Sequence, residues 1–88
     1  MAVKIEVVER DSFRGPETLG WMVCLTEEDA IAFKEEYNAR NNLPTVPEYY
    51  TVVEGRPISI ELNIYQLLKL KSKGKKNRMW LSELENLQ

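Results

Sequence analysis

Residues 19–42, LGWMVCLTEEDAIAFKEEYNARNN, constrain the fold more than any other stretch of the chain. Leu19, Trp21, Val23 and Leu25 alternate with Gly20, Met22 and Cys24, and neither set carries a charge. That is a strand at period two with two apolar faces, which places it centrally in a sheet or under cover on both sides. The strand runs directly into a helix start. Thr26 can accept from exposed backbone amides, and Glu27, Glu28 and Asp29 stand where the helix dipole favours negative charge. Ala30, Phe33 and Tyr37, with Ile31 beside them, recur at helical spacing as the stripe to be buried. Glu36 and Arg40 are four apart, in the favourable order for a surface pair. Asn41, Asn42 and Pro44 end the helix.

The flanking segments supply strands for this helix to cover. Val3, Ile5 and Val7 alternate with Lys4 and Glu6 as a half-buried strand, and Val8 breaks the alternation near its end. Asp11 to Thr18, DSFRGPET, is turn chemistry punctuated by Gly15-Pro16, and its length predicts a mobile loop rather than a tight hairpin. The first two strands pair most simply antiparallel. LPTVPE is a linker stiffened by Pro44 and Pro47. Tyr49 to Val53 is β-branched and aromatic, a third strand. After Gly55-Arg56-Pro57, Ile58, Ile60 and Leu62 alternate with Ser59 and Glu61 as a fourth. The pair is either a hairpin or one long strand with a bulge at Gly55. The expected fold is therefore α+β: a four-stranded, mainly antiparallel ββαββ sheet covered by one helix over residues 1–62. Residues 63–88 form a basic helical extension, packed on the core or projecting from it. Within the extension Asn63 and Gln66 have the spacing of a capping box. Ile64, Leu67 and Leu68 make a short apolar stripe on a helix to about Ser72, and Gly74 is a stop. Trp80, Leu81, Leu84 and Leu87 make a second stripe.

Composition narrows the function more than it defines it. The chain has 88 residues, 30% of them charged, and no histidine. His-based metal sites, His general bases and Ser-His triads are thereby excluded within this chain. The single cysteine, Cys24, excludes an internal disulfide and any multi-cysteine zinc site. It lies in an apolar strand with no base to activate it, which reads as core packing. Glu27 and Glu28 are explained by their place in the first helical turn rather than by acid–base work. No catalytic residue, cofactor site or metal site is expected. The charges at Lys4 and Glu6 interrupt any signal-peptide core, and no apolar run reaches the ~18 residues of a membrane span, so a cytoplasmic protein with no membrane contact is expected.

The net charge of −2 is unevenly placed. Residues 1–62 hold 12 acids and 6 bases, whereas residues 63–88 hold 2 acids and 6 bases. Those six are Lys69, Lys71, Lys73, Lys75, Lys76 and Arg78, followed by Trp80. This run is a candidate phosphate contact with an aromatic for stacking, a candidate protein-binding surface, or a solvated loop between two helices. The acids Glu27, Glu28 and Glu35 are candidates for meeting a basic partner, set against an ordinary solvated helix face. One of Tyr49 and Tyr50 must face outward on a strand, and the outward tyrosine is a candidate interface anchor. The stripe of Trp80 and the leucines either packs back on the sheet or docks a partner or a second copy.

The segments VKIEVVERDSF, GWMVCLTEEDAIAFKEEYN, YYTVVE and ISIEL together resemble small accessory proteins of bacteriophage genomes. There a first strand leads through a polar loop to an aliphatic strand, which ends in Ser or Thr and a helix-forming run. The resemblance covers roughly residues 3–62, leaves the basic extension unmatched and supplies no functional residues. It implies a host-takeover role, in which a non-enzymatic protein inhibits or redirects a host protein or protein–nucleic-acid complex by occupying its surface. A small nucleic-acid-binding accessory protein using Lys69 to Arg78, and an oligomeric assembly protein using Trp80 and the leucines, are the alternatives.

Overall fold

The computed structural model describes residues 2–11, 13–40, 49–72 and 77–86. The linker from Asn41 to Glu48, with its two prolines, and the stop at Gly74 lie outside the described residues. In chain order the elements are β1 (Ala2–Asp11), β2 (Gly15–Cys24), α1 (Glu27–Arg40), β3 (Tyr49–Ile60), α2 (Ile64–Lys71), β4 (Arg78–Trp80) and α3 (Leu81–Glu85). The strands form one four-stranded antiparallel sheet in the order β3-β1-β2-β4. The apolar strand at the head of residues 19–42 is thus internal, and its two faces meet different layers.

Met22 and Cys24 face α1. They pack with Val3, Ile5, Val7 and Val53 of the neighbouring strands under Ala30 and Phe33. Val23 points the other way because strand side chains alternate. It is fully buried with Leu70 of α2, Met79 of β4 and Leu84 of α3, and Leu25, Ile60, Leu62 and Leu81 pack around that second cluster. The local signals for both helices hold. The Asp29 N–H donates to Thr26 Oγ1 at 3.1 Å. Asn63 and Gln66 complete the capping box, with Gln66 N–H to Asn63 Oδ1 at 2.8 Å and Asn63 N–H to Gln66 Oε1 at 3.0 Å.

Four expectations are corrected. First, Asp11 to Thr18 is no long loop. β1 runs through Asp11 and β2 begins at Gly15, where φ is +79°. The strand pairing continues to Asp11 opposite Gly15, so the turn is tight. Backbone hydrogen bonding wins there over a composition that favours a loop. Second, Leu19 does not share the buried face. Val7 pairs with Gly20 and Val8 with Thr18, so Leu19 is the extra residue of a β-bulge and lies exposed. Third, Ile58 to Leu62 is not the fourth strand: of the two arrangements left open, the bulged one holds, and Tyr49 to Ile60 is one strand, bulged at Gly55 to Pro57 where the register with β1 shifts between Lys4 and Glu6. The fourth strand comes instead from Arg78 to Trp80, which pair with Cys24 to Met22. Fourth, Ile31 is exposed, while Ala30 and Phe33 are buried and Tyr37 packs against them.

Candidate interaction surface

The three described bases of the run divide between two roles. Arg78 belongs to the core boundary. It pairs with Cys24 in the sheet, and its Nη1 donates to Glu36 Oε2 at 2.7 Å. Its guanidinium lies 5.3 Å from the Phe33 ring centroid, and its side chain is only 16% exposed. Arg78 therefore ties β4 to α1, and Glu36 is engaged across the fold. Among the described residues, Arg78 Nε is buried without a hydrogen-bond partner. Trp80 likewise packs on the α1-side cluster, with its ring against Gly20. Neither is presented as a free nucleic-acid contact. Lys69 and Lys71 are exposed on α2. Lys73, Lys75 and Lys76 lie outside the described residues.

Nor do the acidic candidates converge on one face with the bases. Glu27, Glu28 and Glu35 are all exposed on α1. Glu27 and Glu35 line a groove of about 610 Å³ between α1 and the bulge of β3, with Ile31, Lys34, Arg56 and Pro57. Lys34 Nζ donates to Gly55 O at 3.0 Å within it. The groove mixes both signs of charge and selects no ligand sign. Tyr49 stands opposite Asp11 at the end of β3, and its side chain lies outside the described residues. Tyr50 is half-buried opposite Arg10. Nearby, Arg10 bonds Glu54, and that hydrogen bond and charge push the guanidinium's pKa further up. Trp21, expected in the core, is half-buried on the sheet with Lys4 Nζ 4.4 Å from its ring centroid.

Cys24 is fully buried, and desolvation pushes its thiol up to about 11 despite the nearby Arg78 charge. A neutral buried thiol is inert, as expected of a packing residue. Among the described residues, no group of three or more His, Cys, Asp or Glu is placed to hold a metal ion. No helix among them is long and apolar enough to cross a membrane.

The surface that sequence reasoning misplaced is α2. Its apolar residues are not one stripe but two. Leu70 is fully buried and Leu67 half-buried, so the helix is seated through them. Ile64, Tyr65 and Leu68 point out and are 60%, 69% and 58% exposed. A helix turns 100° per residue, so these three form one patch just over one turn long, with Lys71 on one flank and Lys69 on the other. The signal was present in ILE-TYR-GLN-LEU-LEU-LYS-LEU-LYS, residues 64–71. Five large apolar side chains on an eight-residue helix exceed what one contact face can bury. Phe13, 84% exposed at the β1–β2 turn, is a further protruding apolar side chain away from α2, and its N–H donates to Asp11 Oδ1 at 2.8 Å.

The molecule is thus a three-layer α+β domain, with α1 on one face of an antiparallel sheet and α2 and α3 on the other. Comparison extends this no further: no family model matches the chain, and no curated protein or solved structure matches it at a significant level.

Proposed function

We propose that this chain is a non-enzymatic binding protein that acts by occupying the surface of a partner protein through the outward face of α2. The observation that carries the reading is the exposure of Ile64, Tyr65 and Leu68 together on a helix whose opposite side is seated in the core. Water is a poor neighbour for three large apolar side chains, and a contiguous exposed patch of this kind marks an interaction site. A short helix presented this way suits the mode in which a helix lies in a partner's groove. The resemblance to small phage proteins makes a host complex the expected target, one that the protein inhibits or redirects in the host cytoplasm.

Lys69 and Lys71 beside Tyr65 support a second reading, contact with a nucleic acid by phosphate pairing and stacking. The assembly reading loses ground. Leu84 is buried inside the molecule, and Leu81 and Trp80 pack on its cores, leaving them little to offer a second copy.

The test uses the wild-type protein and a Leu68→Glu variant as baits in a bacterial lysate, with mass spectrometry and nuclease treatment. A protein held by the wild type and not by the variant, unaffected by nuclease, supports the reading. Retention of the same proteins by both baits, or of none by the wild type, sinks it. Nuclease-sensitive capture supports the second reading instead.

A further inference from the structure

We infer that the partner's docking site for α2 is an apolar groove rimmed by carboxylates on both sides. This inference rests on the protein-binding reading above and adds the chemistry of the partner. Four observations carry it. First, the patch is convex and narrow. Eight residues of helix span about 12 Å, and its three exposed apolar side chains form a ridge, which a groove accommodates and a flat surface does not. Second, the ridge is framed by like charges. On the helical wheel Lys71 borders Ile64 and Lys69 borders Tyr65, so cations flank the apolar centre on opposite sides. Third, α2 has no acidic residue, so nothing on the helix itself neutralises those lysines. Fourth, the part of the chain that precedes α2 repels an acidic partner. Residues 1–62 carry twice as many acids as bases. An acidic surface is therefore admitted at this face and discouraged elsewhere, which fixes orientation as well as affinity.

The same features disfavour the other occupants. A phosphate backbone gains nothing from Ile64 and Leu68, which would stay wet between the lysines. A membrane surface rich in anionic lipid would attract two lysines and repel the acidic body, and a ridge of three apolar residues just over one turn long is a small anchor. A second copy meeting face to face would set Lys69 and Lys71 against their equals.

The experiment installs p-benzoylphenylalanine in place of Tyr65, the most exposed residue of the ridge, and irradiates the protein in lysate. Crosslinked peptides are then sequenced. The capture is repeated with K69E/K71E and with wild-type protein at rising salt. Expected is a crosslinked protein whose attached segment is apolar with Asp or Glu close by. Its capture should fall on the order of tenfold in K69E/K71E, and decline with salt in wild type, since exposed charge pairs are screened over about 8–10 Å. Acid-to-lysine exchange in that segment should restore binding to K69E/K71E. A protein crosslink indifferent to the lysines and to salt overturns the inference while leaving the binding reading intact. Absence of any protein crosslink overturns both. Crosslinks to nucleic acid, or retention by vesicles of phosphatidylglycerol and phosphatidylcholine that K69E/K71E abolishes, assign the face to those partners instead. Thermal melts of each variant confirm that it is folded, as substitutions at exposed positions should be.

Discussion

The side-chain amide of Asn38 bonds both backbone groups of Val53. Nδ2 donates to Val53 O at 3.1 Å, and Oδ1 accepts from the Val53 N–H at 2.8 Å. β3 is an outer strand of the sheet, so these groups point away from β1, and among the described residues no strand meets them. Asn38 supplies the two bonds that a neighbouring strand would make. One turn earlier on α1, Lys34 covers Gly55 O. The helix therefore closes part of an edge that would otherwise be a template for pairing with another chain.

Asn38→Ala should lower stability by about 1–3 kcal/mol, because two half-buried backbone groups lose their partners. Urea unfolding followed by circular dichroism reads this. Asn38→Asp should also be destabilising, since a carboxylate keeps the acceptor and faces the Val53 carbonyl with no donor. Both variants should show more light scattering at high concentration than wild type, as the edge is uncovered.

The two sides of α2 and α3 should respond oppositely to truncation. Leu70→Ala and Leu84→Ala remove fully buried side chains, and each should cost about 2–5 kcal/mol. Leu68→Ala, on the outward ridge, should change stability by no more than about 0.5 kcal/mol. Equal losses at Leu68 and Leu70 in urea titrations would contradict the assignment of faces.

Gly20→Ala tests the seat of Trp80. A Cβ at residue 20 would lie 3.2 Å from Trp80 Cε3 and Cζ3, closer than ordinary contact. The indole must shift, and β4, only three residues long, has little pairing to hold it. The expected result is a destabilisation of about 1–3 kcal/mol, the usual range for overpacking, together with altered tryptophan emission in a Trp21→Phe background.

Cys24 makes stability fall in alkali. Its thiol has an ordinary pKa of 9.0 and is raised in the fold to about 11 by desolvation, so the unfolded chain loses this proton first. Stability from this group is intact below about pH 9 and declines as pH rises toward 11, because ionisation then favours the unfolded state. The melting temperature of wild type should therefore drop more steeply between those pH values than that of Cys24→Ala. Native Cys24 should also react with iodoacetamide far more slowly at pH 8 than the urea-unfolded chain.

Breaking the tie between Arg78 and α1 should loosen the last strand. Glu36→Gln should cost less than about 1 kcal/mol, because Glu36 is substantially exposed. Arg78→Ala should cost more, since it also removes the packing against Phe33 and Glu36 loses this partner. Amide hydrogen exchange at Met79 and Trp80 should rise in Arg78→Ala relative to wild type.

What the sequence by itself determined was local. The apolar double face of residues 21–24 required a central strand covered on both sides. Thr26 and Asn63 set helix starts through bonds that span three residues, and Cys24 was bound to be core. These features depend on neighbours along the chain, and they hold in any fold that keeps the segments. What only the tertiary structure decided was which partner each segment met. Arg78 to Trp80 read as the end of a basic run, and they became a strand because β2 had a free edge and Glu36 and Phe33 lay beside it. Ile64 and Leu68 read as buried because helical spacing cannot say which of two apolar sides will face the core. That choice went to the Leu70 side, which met Val23, Met79 and Leu84, and it left the other side of α2 outside. The surface proposed to bind a partner is thus a by-product of packing, set by contacts of Leu70 with residues 9 to 47 positions away, and no periodicity along the chain records it.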